Sequence, residues 1–152
     1  MSYVVDTNLL TRSVQNGHPL QLVSHQAINE LLQRGETVCV LAQSLYEFWV
    51  VATRPLASNG LGLEVADALV RLTHFEGLLE VRLDRPAVFA EWKQLVVNHS
   101  VKGKPAHDAR IAAAMHVHGL THLLTFNGAD FKRFSHITVV TPDEILNLPP
   151  TP

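Results

Sequence analysis

Short β-branched or aliphatic runs alternate with longer stretches of helical periodicity along the whole chain. Residues 3–6 form a first apolar run, and residues 7–14 continue as a helix, with Asp6-Thr7-Asn8 as the polar corner between them. After the turn Asn16-Gly17-His18-Pro19, residues 20–33 read as a helix with Leu22, Val23, Ile28, Leu31 and Leu32 near one side. Gly35 closes it. TVCVL (37–41) reads as a buried strand, and QSLYEFWVVAT (43–53) returns to helix until Pro55. Residues 56–62, with Ser58, Asn59, Gly60 and Gly62, read as an exposed loop.

The second half repeats the alternation. Residues 63–75 predict a helix and LLEVRL (78–83) a short strand, after which Pro86 suits the first turn of a helix running to about Asn98. The linker HSVKGKPA leads to AHDARIAAAMHVHGLTHLLTFNGADF (106–131), which reads as an alanine-rich helix, a stop at Gly119, a strand over 122–126 and a polar loop. Residues 137–140 predict a last strand, and Thr141-Pro142-Asp143-Glu144 has capping-box spacing with proline at the first helical position. Five strands alternating with helices imply a small, mostly parallel sheet covered on both faces, a three-layer α/β/α arrangement.

At 152 residues and 47% hydrophobic, the chain suits one core. The expectation is a single domain over residues 1–146 with a short flexible tail, 147–152. No apolar run approaches the roughly 18 residues of a membrane span, and MSYVVDTN lacks the features of a secretory leader, which suggests a soluble cytoplasmic protein. The single Cys39 lies in an apolar run and is expected to be a buried thiol. A formal charge of −2 argues against a surface that holds nucleic acid non-specifically. It leaves room for a nucleic-acid enzyme whose acids gather around a cation.

Four acids fall at element ends: Asp6 after the first strand, Glu47 in the helix after the second, Asp108 at a helix start, and Asp130 after a later strand. In a parallel α/β sheet such positions converge on one edge. Carboxylates meeting in a cleft repel one another unless a cation lies between them; oxygen donors suit Mg²⁺ or Mn²⁺, and the natural reaction is metal-assisted phosphodiester hydrolysis. Each acid also has a plainer explanation. Ser44-x-x-Glu47 has capping-box spacing, Asp6 could be an N-cap, Asp108 could complement a helix dipole, and Asp130 could be turn chemistry.

In VVDTNLL, QSLYEFW, HDARIAAAM and LLTFNGADF the chain resembles the PIN-domain ribonucleases, most closely the VapC-type toxins of bacterial toxin–antitoxin pairs. The resemblance covers nearly the whole length. It implies a PIN-like fold and a Mg²⁺- or Mn²⁺-dependent endoribonuclease, active as a homodimer and inhibited by a cognate antitoxin protein that occupies the cleft. Asp6, Glu47 and Asp108 match the family's core metal-binding acids. Asp130 is the expected fourth, and Asn127 is an alternative that could reach the cation directly or through water. Asn8 matches a polar residue that orients the first Asp or a phosphate, while Thr7 and Thr125 could position water or the scissile group. The resemblance further implies in-line attack of water on phosphorus, leaving a 5′-phosphate and a 3′-hydroxyl.

Two other readings stand beside this one. One is an inactive RNA-binding or regulatory module that retains the fold. The other is an aspartyl phosphatase with Asp6 as nucleophile, against which Asn8 stands where a second Asp would be wanted. Of the nine histidines, His116 and His118 are two apart and point to different helix faces, which argues against zinc. His107, beside Asp108, could lie at the cleft mouth, with a solvated or structural role favoured over a catalytic one. Lys102, Lys104, Arg110, Lys132 and Arg133 are candidate phosphate contacts or solvated charges. Phe48 and Trp49 are expected in the core or an interface.

Overall fold

All five expected strands form, and they pair entirely in parallel: β1 (Ser2–Val5), β2 (Thr37–Leu41), β3 (Glu80–Arg82), β4 (His122–Leu124) and β5 (Thr138–Val140), in the order β3-β2-β1-β4-β5. The computed structural model describes residues 1–150. From β1 the chain steps outward through β2 to β3 on one side, then crosses to β4 and β5 on the other. The gap in that progression lies between β1 and β4, where Val4 pairs with Leu123 and Val5 with Leu124. In open α/β sheets this switch point leaves a crevice beyond the carboxyl ends of the strands.

Period-two alternation of apolar residues buries both faces of the sheet. Tyr3, Val5, Val38, Val40 and Leu124 turn to one core, packed under α1 (Thr7–Val14), α2 (Gln21–Gln33), α3 (Ala42–Thr53), α4 (Val65–Leu78) and α7 (Pro142–Leu146). Val4, Cys39, Leu41 and Leu123 turn to the other, under α5 (Ala87–Asn98) and α6 (Ala106–Val117). This is the three-layer α/β/α arrangement. Four of the five alanines of α6, Ala109 and Ala112 to Ala114, are buried and let that helix lie close on the sheet. Cys39 is buried and unpaired.

Several boundaries differ from the sequence expectation for identifiable reasons. In α2 the buried side is Ser24, Ala27, Ile28 and Leu31, with Leu22 exposed, so the helix is rotated relative to its most hydrophobic residues. Helix α4 begins at Val65 because the Leu63 N–H is taken by the Ala52 carbonyl, and it runs through Gly77 to Leu78. Pro86 stands just before α5 as its N-cap. Strand β4 ends at Leu124 because the Thr125 hydroxyl accepts from the Asn127 N–H and turns the chain. The Thr141–Glu144 capping box forms as expected, and Gly119, at φ 67°, closes α6.

Residues 56–62 form the expected loop, with 56–59 and 62 exposed, and the structure sets its path. A 3-10 turn, Leu56–Ser58, folds the segment back onto α3 through Leu61 N–H to Val51 O and Gly62 N–H to Arg54 O. Gly60 is buried there, and a Cβ at that position would stand 1.9 Å from the Arg54 carbonyl oxygen. Gly60→Ala is therefore expected to displace the loop and cost about 1–3 kcal/mol, read as a melting temperature lower by several degrees. An unchanged melting curve would show that the loop is not docked this way. Of the expected tail 147–152, the Leu148 and Pro149 carbonyls accept from Arg34, while residues 151–152 lie outside the described residues. Among the described residues no helix is long and apolar enough to cross a membrane.

Candidate active site

The central strand ends directly in a carboxylate. Asp6 follows Val5 and is the N-cap of α1, its Oδ1 accepting from the Thr7 N–H at 2.8 Å. Its N–H is bonded to the Leu124 carbonyl, which sets Thr125 beside it on the neighbouring strand. Thr125 is fully buried; its hydroxyl donates to Asp6 Oδ2 at 2.7 Å and accepts from Asn8 Nδ2 and the Asn127 N–H, both at 3.0 Å. Every hydrogen-bonding position of that hydroxyl is used.

Glu47 enters from α3. Its Oε2 accepts from the Thr7 hydroxyl at 2.7 Å and its Oε1 from Gln43 Nε2 at 2.8 Å. The capping-box alternative fails, because α3 begins at Ala42 with Leu41 as N-cap, so Glu47 lies in the second turn with Ser44 Oγ unpartnered. Asp108 sits in the first turn of α6, where the dipole and the cleft are both served by one carboxylate. Asp130 is exposed, within a 3-10 turn, Gly128–Phe131, whose N-cap is Asn127.

These four acids share one cleft of ≈ 510 Å³ with Thr7, Asn8 and Asn127. A larger hollow, ≈ 570 Å³ beside Phe89 and Trp92, is apolar and lies away from them. Burial and mutual repulsion both raise the acids of the cleft. Burial first, then the charges of Asp130, Asp6 and Glu47, push the Asp108 carboxyl up to about 6, with His107 opposing. Burial also raises Asp6, helped by Glu47 and Asp130 and opposed by the hydrogen bonds from Thr125 and Thr7.

Oxygen-only donors, partial burial and like charge suit a hard divalent cation. None of the four carboxylates is in a salt bridge among the described residues. The side chains are not closed into a cage: among the described residues no group of three or more His, Cys, Asp or Glu stands in metal-ligating positions. The donor chemistry fits a cation, and the bonds from Thr7, Thr125 and Gln43 leave the carboxylates of Asp6 and Glu47 further lone pairs for it.

The hydroxyls of Thr7 and Thr125 are directed at Glu47 and Asp6, and Asn8 bridges Thr125, Asp6 and the Phe126 N–H. Lys104 lines the cleft, as do Arg12, Arg54 and Asn59, which the sequence reading passed over. Helical spacing offered a signal for one of them: Arg12 is four residues after Asn8 on the same face of α1. Arg54 follows α3 as its C-cap in extended backbone, where helical periodicity gives none. Asn59 arrives through the docked loop, which has no such signal. Away from the cleft, His116 meets Glu91 at 2.6 Å and lies beside His136, while His118 caps α6 and bonds the Leu83 carbonyl. Phe48 is core, and Trp49 packs partly buried against it.

Fold and site together define an α/β protein with an acid-lined cleft at the switch point of a parallel sheet. The PIN domain family matches residues 3–137, and the chain belongs to that family. No curated protein matches the sequence. Among solved structures, a chain of DNA-bound VapBC from Salmonella typhimurium has a TM-score of 0.68 at 20% identity, over 93% of this chain and 98% of that one. A chain of VapBC2 from Rickettsia felis, bound to a promoter DNA fragment, has a TM-score of 0.68 at 18% identity with the same coverage, 93% and 98%. The Mycobacterium tuberculosis toxin VapC20, described as cleaving the sarcin-ricin loop, has a TM-score of 0.61 at 17% identity, over 84% and 92%. At these identities the likeness is one of fold.

Proposed function

We propose that this PIN domain is a Mg²⁺- or Mn²⁺-dependent endoribonuclease of the VapC type, the toxin of a toxin–antitoxin pair. The observation that carries the reading is the convergence of Asp6, Glu47, Asp108 and Asp130 on one cleft with no neutralising salt bridge among the described residues. Asp6, Glu47 and Asp108 would hold the cation, with Asp130 or Asn127 completing its shell directly or through water. A cation bound there supplies Lewis acidity toward the phosphodiester and makes water more acidic. Thr125, Asn8 and Thr7 keep two of the carboxylates in place. Arg12, Arg54 and Lys104 at the rim are placed to hold the flanking phosphates of an RNA strand. Because several of the structurally similar chains come from complexes with antitoxins, a cognate antitoxin is the proposed partner, with residues 1–146 acting as one domain, a homodimer as the active form and the cytoplasm as the place of action.

The test is incubation of purified protein with structured RNAs in Mn²⁺ or EDTA, alongside a small phosphate ester. Cleavage of RNA that EDTA abolishes supports the proposal. Turnover of the ester with intact RNA would mean a phosphatase, and no turnover with no cation binding would mean an interaction module.

Thr125→Val removes the donor to Asp6 and the acceptor for Asn8 and the Asn127 N–H in one step. The expected cost is about 1–3 kcal/mol of stability and roughly 10–100-fold in Mn²⁺ affinity, while Thr125→Ser recovers most of both. Titration calorimetry and thermal melts of the two variants check this. Equal behaviour of Val and Ser would remove the hydroxyl from the site's support.

A further inference from the structure

A buried amide ties Glu47 to the helix that bears Asp108. Gln43 is only 6% exposed and lies one turn before Glu47 on α3. Its Nε2 donates to Glu47 Oε1 at 2.8 Å and to the carbonyl of His107, the residue before Asp108, at 3.0 Å. Its Oε1 accepts from Arg110 Nη1 at 2.8 Å. Arg110 in turn donates through Nη2 to Asp84 Oδ2 at 2.6 Å.

The orientation of the amide follows from chemistry. Arg110 can only donate, so the oxygen of Gln43 must face it, and the two N–H groups must then face Glu47 and the His107 carbonyl. A flipped amide would put an acceptor against a carboxylate and a carbonyl. Asp84 holds the guanidinium so that its planar fork reaches both acceptors, which a lysine ammonium cannot copy. Thr7 holds the other oxygen of Glu47, and each carboxylate oxygen keeps a further lone pair for the cleft. Glu47 on α3 and the first turn of α6 are thereby joined by one side chain.

We infer that Gln43, oriented by Arg110, is a positioning residue that holds Glu47 and the first turn of α6 in register, so that Glu47 and Asp108 meet the same divalent cation. This rests on the nuclease reading of the cleft. Outer partners of metal-ligating carboxylates typically carry 10–100-fold in affinity. A core amide that served packing alone would carry stability and leave the affinity where it was.

The experiment is Mn²⁺ binding, followed by titration calorimetry and by the loss of the free-ion electron paramagnetic resonance signal. It is run on wild type, Gln43→Met, Arg110→Ala, Arg110→Lys and the Gln43→Met/Arg110→Ala double variant, with thermal melts beside it. Gln43→Met, which keeps the length and apolar volume, is expected to weaken Mn²⁺ binding about 10–100-fold. Arg110→Ala and Arg110→Lys should each lose part of that, and the double variant should be no worse than Gln43→Met alone, because Arg110 acts through the amide. Full retention by Arg110→Lys, or additive losses in the double variant, would overturn the role given to Arg110. Unchanged Mn²⁺ affinity in Gln43→Met beside a binding wild type overturns the inference alone. A wild type that binds no Mn²⁺ overturns the nuclease reading and the inference with it.

Discussion

Asp6→Asn is expected to lower cation-dependent RNA cleavage by about 10³-fold or more, with the fold intact. Asp6 is the acid most deeply built into the sheet: it ends the central strand, caps α1 and is held by Thr125 and the Thr7 N–H. Asparagine keeps the shape and an acceptor oxygen for one of those bonds, so the loss falls on charge rather than on packing. On the nuclease reading, the cation would lose a direct anionic ligand. Removing Asp130, exposed in its turn, should cost less because water or Asn127 can take its place. Initial rates across a Mn²⁺ titration, with circular dichroism as the folding control, decide it. An Asp6→Asn enzyme within tenfold of wild type at saturating Mn²⁺ would take Asp6 out of the reaction.

Asp108→Asn is expected to make the metal-free protein more stable, the reverse of what loss of a structural residue does. The Asp108 carboxyl is raised to about 6 from the usual 3.8, so between those values the folded chain keeps a proton that the unfolded chain has released. Stability is therefore full below the lower value and is lost as pH rises through the upper one. At about 1.4 kcal/mol per pH unit, and with Asp108 partly open to solvent, the ionised group costs the metal-free fold about 1–2 kcal/mol above pH 6. In EDTA at pH 7.5 the variant should melt several degrees above wild type, and at pH 4 the difference should close. Added Mn²⁺ should raise the wild type more than the variant, since binding to the native state alone stabilises it. A variant that melts below wild type in EDTA at pH 7.5 would show that burial and the neighbouring charges do not penalise the Asp108 carboxylate in this way.

What could be read from the chain beforehand divides along physical lines. The five strands were legible because each is a compact apolar run set off by helical periodicity, and the α7 cap because Thr141-Pro-Asp-Glu144 is a local signal. The expected gathering of the four acids in one cleft followed from element ends in a parallel sheet, and the cleft holds all four. Which carboxylate oxygen meets which donor was not legible. Gln43 touches His107 and Arg110, more than sixty residues distant, and nothing in QSLYEFW announces this. The docked loop at Gly60 was hidden for a similar reason, since composition says turn but not what the turn lands on. Leu22 misled because hydrophobicity alone does not say which side of α2 faces the sheet.

The pairing of β1 with β4 bears on when the cleft can form during synthesis. Synthesis runs from the N-terminal side, and the strand that sets Thr125 beside Asp6, residues 122–124, emerges long after β1. Until that segment has left the ribosome, the central strand lacks one of its two neighbours and the cleft lacks its far wall, Asn127 and Asp130. A growing or prematurely ended chain thus carries Asp6, Glu47 and even Asp108 without a pocket to unite them. On the nuclease reading, synthesis has its own safety interval: the cutting site is assembled only once residues 122–131 have followed the three earlier acids out of the ribosome.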